Sequence, residues 1–316
     1  MEQRAIQIGA AALILALCLR VGLHWDTAQQ ELGRTLLFLG TGRLVTETVP
    51  FSTESAPEPI NPPEETPAVP VFGRQQEDLV QVNASWQVDT RKLLEKPLAW
   101  NLKGEKPTVL ILHSHGTESY EKEASYEETS PYRTLDPDYN MICIGERVAE
   151  RLEAGGVPVI HDKTLHDYPS YNSAYTNARS AIEACLADNP SVCLVLDLHR
   201  DAAEDGNGKQ KVSAVTIEGK STANLMLVMG SDKGSLSYPN WEQNLALAVK
   251  LQAQMEQMYP GVCKPIKLNT SRYNQDLSTG ALLVEVGTAG NTRAEALAAA
   301  ELLAEGILAL AKGANI

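Results

Sequence analysis

The sequence predicts an α/β domain with a mostly parallel sheet flanked by helices. Residues 108–112 (TVLIL) form an apolar or β-branched run without a polar break, as in a strand buried on both faces. A second run of this kind covers 192–198 (VCLVLDL). From residue 107 onward, such runs alternate with segments that carry apolar residues at helical spacing. Strands that alternate with helices usually pair in parallel.

The first 24 residues are predicted to be a membrane anchor. Residues 5–23 are strongly apolar, although Gln7 and Arg20 interrupt them, and a membrane-spanning helix needs about 20 such residues. Arg4 precedes the run and acidic residues follow it, so the N-terminus is expected in the cytoplasm and the rest outside. A cleaved signal peptide is the alternative.

Residues 25–106 are predicted to be an extracytoplasmic linker. The stretch 50–70 contains seven prolines and several acidic residues, so it is expected to be an extended spacer without a core. The catalytic domain is then predicted to occupy 107–316.

The elements of this domain are predicted from hydrophobic periodicity and from Gly and Pro signals. We predict strands over 108–112, 157–160, 192–198, 212–217, 224–228, 262–268 and 281–286, and helices over 140–154, 171–187, 240–258 and 293–311. The runs 212–217 and 224–228 are expected to pair with each other. The long polar loop 118–139 is expected to lie over a functional site.

The composition argues against nucleic-acid binding and against a structural cysteine–zinc site. The 316 residues carry a formal net charge of -13 and 43% are hydrophobic. An acidic chain argues against nucleic-acid binding, which needs basic patches. The five cysteines form no C-x-x-C pair, so a structural cysteine–zinc site is not expected.

Chemistry-bearing residues follow the first predicted strand. His113, His115 and Glu118 lie within six positions of one another. Ligands of open α/β sheets bind at the carboxyl ends of the strands. Histidine and glutamate are also ligands of catalytic zinc, at roughly 2.0–2.2 Å. These residues are therefore candidate metal ligands.

Two further strands end in polar residues. Asp197 and His199 lie two positions apart, at the end of the strand predicted over 192–198, and share one face of it, so Asp197 can orient His199. Asp201 is the alternative for this role. Glu285 stands between Val284 and Val286, where a buried carboxylate needs a partner or a raised pKa. That environment suits a general base. A solvent-facing glutamate on an edge strand is the alternative.

The chain resembles the stage II sporulation protein P family. The resemblance rests on five blocks in order: ILHSHGTESY at 111–120, RTLDPDYNMICIGERVAERLEAGGV at 133–157, VIHDKTLHDYPSYNSAYTNARSAIE at 159–183, VLDLHRDA at 195–202 and LLVEVGTAGNT at 282–292. It implies a zinc-dependent peptidoglycan hydrolase with N-acetylmuramoyl-L-alanine amidase activity, together with endopeptidase cleavage of stem peptides. It also implies a role in engulfment during sporulation. The protein would be single-pass in the cell membrane with its catalytic domain outside, and its partners would be stage II sporulation proteins D and M.

A more distant resemblance to zinc amidases with a His, Glu, His ligand set suggests roles for individual residues. It places metal ligands on His115 and His199 and the general base on Glu285. The second ligand stays open between Glu118, in an H-x-x-E spacing also found in zinc carboxypeptidases, and Asp136, which aligns with the glutamate before the first helix.

Two further assignments accompany this ligand set. His113 is an alternative to His115. Arg200 is a candidate to stabilise the oxyanion or to bind a stem-peptide carboxylate. A zinc carboxypeptidase-like peptidase and a non-catalytic wall-binding scaffold are the alternative functions.

Overall fold

The computed structural model describes residues 77–98, 101–123 and 126–314. The predicted anchor (1–24) and the Pro-rich stretch (50–70) lie outside these residues. Within the described part of the chain, no helix is long and apolar enough to cross a membrane.

A seven-stranded sheet forms the centre of the fold. Its strands are β1 (Val82–Asn83), β2 (Val109–Leu112), β3 (Val159–His161), β4 (Leu194–Asp201), β7 (Leu225–Met229), β8 (Ile266–Leu268) and β9 (Ala281–Thr288). Their order is β1-β8-β7-β9-β4-β2-β3. Among these described strands, every neighbouring pair is parallel except β7 and β9. The prediction of a mostly parallel sheet is confirmed.

Five α-helices surround the sheet in the described residues. They are α1 (Thr90–Glu95), α2 (Met141–Ala154), α3 (Ala174–Asp188), α4 (Trp241–Met258) and α5 (Arg293–Ala314). Helix α2 begins where the sequence predicts, because the Asn140 side chain accepts a hydrogen bond from the Ile142 backbone N–H at 2.9 Å. Before α3, residues Tyr171–Ser173 form a single 3₁₀ turn.

The predicted pairing of 212–217 with 224–228 is wrong. The strands β5 (Ala214–Ile217) and β6 (Lys220–Ala223) instead form a separate hairpin. Its two-residue turn consists of Glu218 and Gly219, both at positive φ (49° and 79°), as tight hairpin turns require. Strand β7 therefore joins the central sheet.

The residues predicted as linker before 107 also contribute to the fold. Strand β1 pairs in parallel with β8 at one edge of the sheet. Helix α1 buries Leu93 and Leu94 in the main core.

The two faces of the sheet are covered unequally. Ile111 and Val284 belong to a large core that includes α2, α4 and α5. On the other face, Leu110 and Val195 pack in a smaller cluster with Ala178 of α3. Because side chains alternate along a strand, Asp197 and His199 share the face of Val195. The candidate site residues of β4 thus lie on the face that α3 covers.

Candidate active site

The structure brings His115 and His199 together. Both side chains are buried, and their ring centroids are 5.3 Å apart. Glu285 is the register partner of His199 on the neighbouring strand β9. Glu118 completes the group, because its Oε2 lies 3.8 Å from Nδ1 of His199. Residues from three separate segments therefore meet at one position on the sheet.

Asp197 lies against His199 and is itself held by Ser114. Its carboxylate accepts hydrogen bonds from the Ser114 backbone N–H (2.8 Å) and hydroxyl (2.6 Å). Its Oδ1 also lies 2.9 Å from Nε2 of His199, although this contact is not a well-directed hydrogen bond. In this arrangement Nε2 of His199 faces Asp197 and Nδ1 faces Glu118.

Two arginines hold Glu118. Its Oε1 lies 3.2 Å from Nη2 of Arg133 and 3.5 Å from Nη1 of Arg200, and its Oε2 accepts from the Arg200 backbone N–H at 3.3 Å. Arg133 also pairs with Asp167 at 2.8 Å. Arg200 donates its remaining side-chain hydrogen bonds to the carbonyls of Ser119 and Tyr132, both at 3.1 Å. The contact of Arg200 with an oxyanion or a stem-peptide carboxylate stays a prediction.

The alternative ligands His113 and Asp136 have other contacts. His113 is fully buried; its Nδ1 lies 3.1 Å from the Leu198 carbonyl and its Nε2 lies 2.9 Å from Nε2 of His161. Asp136 accepts a hydrogen bond from the Asp138 backbone N–H, in the turn before α2. No described contact joins either residue to His199 through its side-chain polar atoms.

The buried polar atoms of the cluster could bind a cation. In the described part of the chain, Nδ1 of His115 and Oε2 of Glu285 are buried without a hydrogen-bond partner. Buried polar atoms are rarely left unsatisfied unless a ligand, ion or catalytic role accounts for them. Two imidazoles with carboxylates form a donor set that zinc accepts. The residues therefore fit a zinc ion, although no group of three or more described His, Cys, Asp or Glu residues is already arranged to hold a metal.

The pKa values of the two histidines in the cluster are shifted in opposite directions. Burial, with the charges of His199 and Arg133, lowers the pKa of His115 to about 4, so this ring is neutral at pH 7. Burial also lowers the pKa of His199, but the carboxylates of Asp197, Glu118 and Glu285 outweigh it and raise the pKa to about 9. A bound cation would replace that proton as the charge facing these carboxylates.

Glu285 has the environment of a general base. Burial, with the nearby negative charges of Glu118 and Asp201, raises the pKa of Glu285 to about 8, although His199 and Arg200 act in the opposite direction. A carboxylate with a pKa close to neutral pH can both accept and return a proton.

Aromatic rings cover the cluster. The ring centroid of Tyr171 is 4.5 Å from that of His115, and that of Tyr175 is 5.4 Å away. Tyr171 is 54% exposed, and the Arg133 guanidinium lies 4.7 Å from its ring centroid. These rings can contact a substrate as it approaches His115.

The sequence analysis assigns no role to Arg133 or Asp167. Both residues lie in long loops, and Thr117 joins them by donating its hydroxyl hydrogen bond to Asp167 at 2.5 Å. An Arg–Asp pair between two loops has no fixed sequence spacing, so the only available signal was the length of the loop 118–139.

The fold and this cluster define an α/β protein with an imidazole–carboxylate site on its central sheet. The family model for stage II sporulation protein P (SpoIIP) matches residues 42–308, so the chain belongs to that family. Stage II sporulation protein P of Bacillus subtilis (strain 168) is 31% identical over 215 residues, which are 64% of this chain. The match spans 50% of the length of that curated relative.

Solved amidase structures are also similar, with low identity and low TM-scores. N-acetylmuramoyl-L-alanine amidase AmiC2 of Nostoc punctiforme shares 18% identity and a TM-score of 0.40, over 65% of this chain and 97% of that one. The CwlD amidase of Clostridioides difficile, solved in complex with the GerS lipoprotein, shares 15% identity and a TM-score of 0.40, over 64% and 94%.

Proposed function

We propose that this protein is a zinc-dependent peptidoglycan hydrolase that cuts the amide between muramic acid and the stem peptide. Its activity would be that of an N-acetylmuramoyl-L-alanine amidase, together with endopeptidase cleavage of cross-linked stems. The proposal is carried by one observation: in a member of this family, His115, Glu118, His199 and Glu285 converge on one face of the sheet.

His115, Glu118 and His199 are the residues that would hold the zinc ion. Zinc, when bound, polarises a carbonyl group and lowers the pKa of bound water towards about 7. Asp197 keeps the His199 ring oriented, and Arg133 and Arg200 keep the Glu118 carboxylate in place. Arg200 thus acts as a positioning residue for Glu118.

Glu285 would be the general base. Its Oε2 has no hydrogen-bond partner among the described residues, so it is free to accept a proton from the attacking water. The same carboxyl group then gives the proton to the departing amine, whose bond to the carbonyl carbon breaks. The ring of Tyr171, exposed beside His115, would contact the substrate.

The cellular setting is part of the proposal. Residues 1–24 would anchor the chain in the cell membrane by one span, with the catalytic domain outside. The protein would act in engulfment during sporulation with stage II sporulation proteins D and M. Family membership and the apolar N-terminal segment support these points.

The test is hydrolysis of purified peptidoglycan by the zinc-loaded chain, with product analysis. An amidase frees the amino group of L-alanine, whereas a carboxypeptidase-like enzyme cuts only within the stem. We expect Glu285→Gln to keep zinc but to lower the rate by about 10²–10⁴-fold. Full activity in this variant would remove Glu285 from its role. Zinc-loaded wild-type protein that binds peptidoglycan without any cleavage would favour the scaffold function instead.

A further inference from the structure

A polar groove lies next to the aromatic residues of the active site. It has a volume of about 560 Å³ and follows the ends of β1 and β8. It is lined by Asn83 of β1 and the following Ala84, Ser85 and Trp86, and by Lys267 and Leu268 of β8 and the following Asn269, Thr270, Ser271 and Tyr273. None of them belongs to the cluster around His199.

The wall formed by residues 269–274 is built with unusual backbone geometry. Tyr273 and Asn274 both have positive φ (52° and 58°), which residues other than glycine seldom adopt. Two glycines allow the segment to approach closely: a Cβ on Gly230 would lie 2.1 Å from the Ser271 carbonyl oxygen, and one on Gly234 would lie 2.4 Å from that of Thr270. Strained backbone held in this way is often found at ligand-binding sites.

Tyr273 joins the groove to the active site. Its hydroxyl accepts a hydrogen bond from Nδ2 of Asn269 at 2.8 Å, which fixes the ring at the groove wall. The ring centroid lies 6.2 Å from that of Tyr175, which is 5.4 Å from the ring centroid of His115. Asn274 strengthens the link, because its Nδ2 donates to the Tyr175 carbonyl at 2.8 Å. Tyr175 therefore lies between Tyr273 of the groove wall and His115 of the active site, with ring contacts to both.

The lining chemistry favours a neutral polyhydroxylated ligand. Most of the polar side chains are amides and hydroxyls, which both donate and accept hydrogen bonds. Trp86 and Tyr273 add aromatic surface, and the buried Nε1 of Trp86 has no hydrogen-bond partner among the described residues. Lys267 is the one charged residue among the described lining, so an anionic stem peptide would find a single counter-charge.

We propose that this groove binds a segment of amino-sugar glycan next to the bond that is cut at His115. This inference rests on the proposed hydrolase function, since it assigns the glycan side of the same substrate to the groove. It makes Tyr273 a residue that positions the glycan.

The experiment measures binding of the N-acetylglucosamine tetramer to the full chain by titration calorimetry. We expect Ser271→Trp, which fills the groove, to weaken binding by at least about tenfold. Asn269→Ala, which releases the Tyr273 hydroxyl, should weaken it in the same direction. Asn207→Trp, in an exposed polar loop outside the groove, is the matched control and should bind as the wild type does.

Removing the charge of Lys267 distinguishes binding of the glycan from binding of the stem peptide. Lys267→Gln should change tetramer binding by less than about twofold, because a neutral sugar forms no ion pair with lysine. If the tetramer does not bind, or if a free stem peptide binds in a way that requires Lys267, the proposal is wrong. The tetramer contains no bond that the proposed hydrolase cuts, so this result and the peptidoglycan assay can fail independently.

Discussion

His199 on β4 lies directly opposite Glu285 on β9, in the parallel strand pair at the middle of the sheet. The register between these strands shifts immediately afterwards, between His199 and Asp201. Irregularities of this kind often re-aim side chains next to active sites. Here the in-register pair keeps imidazole and carboxylate on one face, and the backbone N–H of Arg200 turns to Glu118.

Zinc should stabilise the folded chain through His115 and His199. A ligand that binds only the native state adds about 2.7 kcal/mol at a concentration of 100 times its Kd. We expect thermal unfolding of metal-stripped protein to shift upward with zinc, and His199→Ala to abolish the shift. Magnesium, which prefers oxygen ligands, is the control cation. A zinc shift as large as that of the wild type in either His115→Ala or His199→Ala would contradict this site.

Asp197→Asn should weaken zinc binding without removing it. The carboxylate contacts Nε2 of His199 at 2.9 Å, and loss of such outer contacts typically costs 10–100-fold in metal affinity. Zinc titration calorimetry measures the effect, with the exposed Asp232→Asn as control. Unchanged affinity in Asp197→Asn would show that Asp197 does not orient His199.

Gly145→Ala should destabilise the protein. A Cβ at this position in α2 would lie 2.4 Å from Nε2 of His161 and 2.5 Å from Nε2 of His113. Helix propensity alone favours alanine over glycine by about 1 kcal/mol, but overpacking costs about 1–3 kcal/mol. We expect a net loss by urea unfolding, while Glu153→Ala on the exposed side of α2 stays within about 0.5 kcal/mol. A gain in stability for Gly145→Ala would mean that the two rings move aside freely.

The bond between Tyr259 and Glu305 should make stability depend on pH. Burial raises the pKa of Glu305, but hydrogen bonds from Tyr259 and Arg151 outweigh it and hold the pKa below its usual value. The folded pKa is below the unfolded one, so the contribution is complete above the unfolded pKa and is lost as pH falls through the folded value.

Tyr259→Phe should therefore cost about 1 kcal/mol near neutral pH and less in acid. Urea unfolding near pH 7 and at about pH 3 measures the difference. Tyr168→Phe, at a half-exposed residue, is the control. A cost that is equal at both pH values would show that the hydrogen bond does not depend on the charge of Glu305.

Strand pattern and strand ends predicted much of the fold and the positions of the central residues. The runs at 108–112 and 192–198 are apolar because both faces of β2 and β4 are covered. The end of each strand could therefore be predicted from the end of its apolar run. Since β2, β4 and β9 run in parallel, residues near their ends come together, and His115, His199 and Glu285 do so in the structure.

Loop contacts and short turns were beyond sequence reasoning. Arg133 reaches Glu118 across a loop whose path depends on tertiary contacts. The turn at Glu218 and Gly219 requires positive φ at a glutamate, a residue that seldom adopts it, so the hairpin went unrecognised. Strand β7 was consequently assigned to the wrong partner.

The unequal covering of the sheet has a consequence for how the site can vary. In the described fold, α2, α4 and α5 shield one face, and α3 alone among the α-helices packs against the other, which carries His199. The larger core lies behind the sheet, away from His199. Changes in the loops on the side of α3 can therefore reshape the surroundings of His199 while the larger core stays intact.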